Sequence, residues 1–202
     1  MLRAEAHAGG LTRVQFSTLL AAAHAPPTIG ACAAGSNGRP IMGKCEELEA
    51  RLQALEDVEA IKRLKYRYWR CLDQKRWEEL AECFVEDATV SYGGGRYRFA
   101  GREAIMKFLR EALGRETGTV GIHHGHHPLI ELTGATTARG SWALHNYLLN
   151  VQQKRGVREG AFYDDDYVKV GGEWKLKHTG YTYVFHEEWS REDTPSIHAI
   201  VP

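Results

Sequence analysis

The spacing of apolar residues changes once along this chain, from threes and fours to twos, and that change limits the folds open to it. From Cys45 onward, Leu48, Leu52 and Leu55, then Val58, Ile61, Leu64, Tyr68 and Leu72, recur at helical spacing. Glu, Lys and Arg fill the intervening positions, as on a solvated helix face. The pattern predicts a long helix ending near Asp73–Lys75 and a short second one through Trp77, Leu80, Ala81 and Phe84. Asp87–Tyr92, the run Gly93-Gly94-Gly95 and Arg96–Ala100 read as a β-hairpin. A third helix opens after Gly101, with Ile105, Phe108, Leu109 and Leu113 as its apolar stripe. Beyond Gly118 the period is two, and long strands are predicted over 119–132, 137–151, 159–170 and 173–186. Three helices followed by a long, mostly antiparallel sheet give an α+β fold with the helices on one face. A strongly curved sheet of this kind closes into a cone whose mouth holds a small ligand.

The first 41 residues read differently: they are rich in Ala, Gly and Pro, with Glu5 as the one acidic residue. Val14–Ala25 has a weak apolar centre and is followed by Pro26, which argues against an export signal. The expected organisation is a flexible tail over 1–44, a folded domain over 45–190 and a second tail over 191–202, with Met42 a natural start for the folded part. Lys plus Arg equals Asp plus Glu at 26 each, so no net field favours nucleic acid or a membrane surface. A small hydrophobic substrate suits this balance better. Cys32, Cys45, Cys71 and Cys83 form no CxxC pair and no disulfide framework, which fits a reducing cytoplasm. No apolar run approaches the roughly 20 residues that span a bilayer.

The densest group of reactive side chains is His123-His124-Gly125-His126-His127. Strand alternation puts His123 and His127 on one face and His124 and His126 on the other. His124 and His126 are placed to chelate together, but no third ligand stands at diagnostic spacing, so no metal is expected. His123 becomes a useful base if a carboxylate fixes its tautomer. Asp73, where the first helix ends, is the candidate carboxylate. Tyr68, five positions earlier on the apolar stripe, is a candidate phenol donor. Alternation in Ser141–Asn146 puts Trp142, Leu144 and Asn146 on one face, and a buried Asn must satisfy its amide through a ligand oxygen or the backbone. Trp142, Tyr181, Tyr183, Phe162 and Trp69 are expected to line the cavity. The run Asp164-Asp165-Asp166 reads as a solvated edge.

These residues in this order resemble the SnoaL-like branch of the nuclear-transport-factor-like superfamily, and within it the bacterial bile-acid 7-alpha-dehydratases. The likeness rests on Leu-Glu-Asp-Val-Glu-Ala-Ile-Lys-Arg-Leu-Lys (55–65), Tyr-Trp-Arg-Cys-Leu-Asp (68–73), His-His-Gly-His-His-Pro (123–128), Gly-Ala-Phe-Tyr-Asp-Asp-Asp-Tyr (160–167) and Thr-Gly-Tyr (179–181). Scytalone dehydratases and hexachlorocyclohexane dehydrochlorinases are similar in carrying a His–Asp pair at equivalent places. The resemblance implies a homotrimeric lyase that needs no cofactor, with His123 as base, Asp73 orienting it and Tyr68 a functional phenol. Two positions depart from the bile-acid enzymes: Asn146 stands where they carry a catalytic Asp, and Tyr183 where they carry a functional Arg. Both departures imply a different substrate. Within the same superfamily lie formaldehyde-releasing lyases acting on lignin-derived diaryl compounds, isomerases and cyclases, and non-catalytic binding or docking modules.

Overall fold

The structure, a computed structural model, describes residues 41–192. The tail expected at the N-terminus therefore lies outside the described residues up to position 40, as does the C-terminal one beyond position 192. Helix α1 (Ile41–Gln74) is followed by α2 (Trp77–Glu82), strands β1 (Phe84–Tyr92) and β2 (Tyr97–Ala100), and helix α3 (Arg102–Leu113). Four long strands complete the fold: β3 (Thr119–Leu132), β4 (Thr137–Asn150), β5 (Arg155–Val170) and β6 (Glu173–Ser190). No helix among the described residues is long and apolar enough to cross a membrane.

The strands form one sheet in the order β2-β1-β6-β5-β4-β3. All neighbours are antiparallel except β1 and β6, which run parallel. The sheet is mixed and open: β2 and β3 are its two edges and do not pair with each other. The expectation of a closed cone is corrected to this extent. The β1–β2 turn uses Gly93, Gly94 and Gly95, each at positive φ, where a side chain would be strained.

The helices cover one face of the sheet. Ile61, Leu64, Tyr68, Trp69 and Leu72 of α1 are buried, as are Ile105, Met106 and Leu109 of α3. They meet Trp142, Leu144, Ala161, Tyr163, Tyr167 and Leu176 from the strands. Midway along α1, Asp57 is buried and accepts hydrogen bonds from Lys169 (2.6 Å) and the Trp174 indole (2.9 Å). Burial alone raises that carboxyl, but the donors outweigh it and hold it below its ordinary value. A deeper pair lies further along the helix: Lys65 Nζ is 2.8 Å from Asp165 Oδ2, with both side chains fully buried. The middle residue of the acidic run is thus a core partner rather than a solvated edge.

Trp69 shows how tightly α1 sits on the sheet. Its ring stands edge-on to Trp142 (centroids 5.2 Å apart) and to Tyr163 (5.9 Å). A Cβ added at Gly125 of β3 would come within 1.8 Å of its Cη2 atom. Gly125→Ala is expected to lower unfolding free energy by about 1–3 kcal/mol, the usual cost of overpacking, read as a lower urea midpoint. An unchanged midpoint would mean that Trp69 has room to move.

Candidate active site

Asp73 owes its position to the way α1 stops. Lys75 adopts a left-handed conformation (φ 60°), its N–H bonds to Leu72 O, and the N–H of Arg76 reaches back to Cys71 O. This is the Schellman ending, and it leaves Asp73 in the last turn of the helix. A carboxylate there faces the negative end of the helix dipole, an unfavourable place without donors. His123 of β3 supplies two. Its backbone N–H donates to Asp73 Oδ2 (3.1 Å) and its ring Nδ1 lies 2.6 Å from Oδ1.

That grip fixes the ring twice, through the strand and through the side chain. With Nδ1–H donated to the carboxylate, Nε2 is left bare as a hydrogen-bond acceptor or base. The pair is largely shielded, with His123 9% and Asp73 18% exposed at the side chain. His123 borders a cavity of about 350 Å³. Tyr68 and Leu72 of α1, Tyr92 of β1 and Phe108, Leu109 and Leu113 of α3 wall it; Asn146, Glu159, Tyr163, Tyr181 and Tyr183 come from the sheet. Tyr68 and Tyr92 share a hydrogen bond of 2.9 Å. Burial raises both hydroxyls far above the usual phenol value, so they remain neutral donors at physiological pH. A wider cleft of about 920 Å³ lies elsewhere, near Arg102 and Lys177. Its carboxylates Glu86, Asp87 and Asp166 are each tied to a surface cation, so the aromatic cavity is the better candidate.

The polar groups of the cavity form a single row across the sheet. His123 pairs with Asn146, Asn146 with Glu159, and Glu159 with His186 in the strand register. Asn146 Nδ2 donates to Glu159 Oε2 (3.1 Å), and His186 Nδ1 lies 2.8 Å from Glu159 Oε1.

This fold has recognisable relatives. The SnoaL-like domain family matches residues 53–180. The chain belongs to that family. Among solved structures, this SnoaL-like domain is similar to a scytalone-dehydratase-like protein of Novosphingobium aromaticivorans, at 26% identity and a TM-score of 0.63, covering 72% of this chain and 98% of that one. It shares its fold with a hexachlorocyclohexane dehydrochlorinase of Novosphingobium barchaimii, at 19% identity and a TM-score of 0.63, covering 75% and 99% of the two chains. An NTF2-like protein with a cystatin-like fold from N. aromaticivorans matches at 22% identity and a TM-score of 0.57, covering 68% and 88%.

In this SnoaL-like domain, His123, Tyr68, Asn146, Tyr181 and Tyr183 line the cavity, and Asp73 acts on it through its hold on His123. Three expected lining residues sit elsewhere. Phe162 is 54% exposed on the outer face, because its neighbour Tyr163 takes the inward position on β5. Trp142 and Trp69 are buried against each other in the core, with the Trp142 indole donating to Tyr167 Oη (2.9 Å). His127 does not share a face with His123: the pairing slips between His126 and Leu129, and His127 lies at φ 49° in that irregularity. His124 and His126 gather with His145 on the exposed outer face. Among the described residues no group of three or more His, Cys, Asp or Glu is arranged to hold a metal. Glu159 and His186 went unrecognised at the level of sequence. Glu159 carries a readable signal, since it has the same strand parity as Tyr163 and Tyr167. His186 has none, because an extra residue, Val184, interrupts the ladder with β5 and reverses its parity.

Proposed function

We propose that this domain is a cofactor-independent lyase that removes a small leaving group, water in the first instance, from a small apolar hydroxylated substrate such as a steroid or aromatic. The observation that carries this reading is the double hold of Asp73 on His123 at the wall of an aromatic cavity. Nε2 of His123 takes a proton from a carbon made acidic by a neighbouring carbonyl or aromatic ring. The C–H electron pair becomes the new double bond, the C–O bond breaks, and the departing hydroxyl takes the abstracted proton back from the His123 imidazolium to leave as water. Tyr68 donates a hydrogen bond to the oxygen that gains charge, and Asn146 holds the substrate beside it. General base catalysis of this kind supplies about 10²–10⁴-fold, and preorganised donors add to it. A purely ligand-binding module has no need of this pairing and is free to fill such a cavity with apolar side chains.

The formaldehyde-releasing alternative is favoured by one observation, the six tyrosines around the cavity, which suit flat diaryl ligands. The test is incubation with pooled hydroxysteroids, hydroxyketones and lignin-type aryl dimers, followed by mass spectrometry. Loss of 18 Da, about one water, is the expected result. Loss of formaldehyde instead would move the reading to the alternative, and no mass change in any pool would favour isomerase or binder. Assembly as a homotrimer in the cytoplasm belongs to the same proposal. Exposed Ile122, Leu129, Phe162, Val184 and Phe185 on the outer sheet face support association, which light scattering would measure.

A further inference from the structure

Asn146 is 4% exposed and its carbonyl Oδ1 has no hydrogen-bond partner among the described residues, although the residue borders the cavity. A buried acceptor left unpaired costs about 1–3 kcal/mol, so its presence calls for an explanation. The amide is not free to turn over. Glu159 Oε2 takes the Nδ2 hydrogen at 3.1 Å, and a flipped amide would set oxygen against oxygen. Glu159 is in turn held by His186, whose Nδ1 lies 2.8 Å from Glu159 Oε1 while its Nε2 lies 3.0 Å from Glu188 Oε1. The carboxylate is thus aimed from the outer end of the row, and it aims the amide.

We propose that Glu159, clamped by His186, is a positioning residue that locks Asn146 with its carbonyl oxygen as an acceptor, so that the site selects ligands bringing an O–H donor to that atom. Asn146 neighbours His123 on the adjoining strand, which places the selected hydroxyl beside the base. An ether of the same shape leaves the acceptor unpaired and is rejected, in the way sites built for a hydroxyl reject analogues lacking it. The inference rests on the cavity being a substrate site, and not on which bond is broken there.

Binding rather than turnover tests it. 2-Naphthol and 2-methoxynaphthalene, chosen as probes for the aromatic cavity, are titrated by calorimetry against the full chain. 2-Naphthol is expected to bind about 10-fold tighter or more, the scale of one hydrogen bond to an otherwise unpaired buried acceptor. Asn146→Leu removes the acceptor and should bring the ratio close to one while 2-methoxynaphthalene still binds. Glu159→Gln gives Asn146 a partner that both donates and accepts, lets the amide turn, and should reduce the ratio without loss of either ligand. A merely structural role for Glu159 would weaken both probes equally. Equal affinities in the parent protein, no saturable binding of either probe, or a ratio that survives Asn146→Leu would each overturn the proposal. Because no reaction is scored, the preference can hold even if the lyase assay finds no product.

Discussion

Replacing His123 by alanine is expected to lower turnover of whichever pooled substrate proves active by about 10³-fold or more, with secondary structure retained. The magnitude follows from loss of the proton acceptor, worth about 10²–10⁴-fold, together with the orientation it imposes on the substrate. Retention of fold follows from position. His123 lies on β3, an edge strand, and its ring is held by one carboxylate rather than by the packed core. The backbone N–H bond to Asp73 survives the substitution, so α1 keeps its anchor to the strand. Asp73→Asn offers a companion measurement. An amide presents a donor where the Nδ1 hydrogen needs an acceptor, which favours the wrong tautomer and should lower turnover while leaving substrate affinity nearly intact. If His123→Ala turns over product at the parent rate, the pair is not the catalyst and the reading falls.

The second large effect is thermodynamic. Lys65→Met is expected to cost about 3–5 kcal/mol of unfolding free energy, because it leaves the Asp165 carboxylate buried without its cation. Lys65 Nζ also donates to Thr179 Oγ1 (3.1 Å) and stands 3.7 Å from the centre of the Tyr163 ring. Burial pushes the ammonium below its ordinary value, against the pull of Asp165. The Tyr167 hydroxyl, 2.7 Å from Asp165 Oδ2, is too little to hold that charge alone. Set against a typical total of about 5–15 kcal/mol, such a loss should bring the urea midpoint down steeply or prevent soluble expression. Lys65→Met combined with Asp165→Leu removes both charges and should recover much of the loss. A single substitution that leaves the midpoint unmoved would show that Asp165 is satisfied by other means.

The parts of the molecule that were legible in sequence are those governed by periodicity. The long helix, the stripe of α3 and the four long strands all follow from apolar spacing, and each was found within a few residues of its ends. The His–Asp pairing was legible for a different reason. The residues stand in a motif order that resembles a known family's, whereas nothing in their own spacing brings positions 73 and 123 together. What escaped was decided by tertiary partners. Alternation cannot choose between adjacent aromatics, so Phe162 and Tyr163 exchanged roles once the register was set. Asp165 reads as solvated in sequence because its cation, Lys65, lies a hundred positions away, buried among the apolar residues of the core face of α1. Sheet closure was overestimated because edge pairing depends on curvature, which side-chain type does not encode.

The extra residue at Val184 bears on how sites of this kind diversify. A bulge costs its strand a local break in pairing but moves every side chain beyond it to the opposite face. Here it turns an imidazole inward and a phenyl ring outward, His186 and Phe185, at the end of the polar row. A lineage that gained or lost one residue at this point would swap the chemistry at the cavity mouth in a single step, with no codon on either side altered. Such a change scores as an indel in a surface strand, yet it rewires recognition as thoroughly as several substitutions in the pocket.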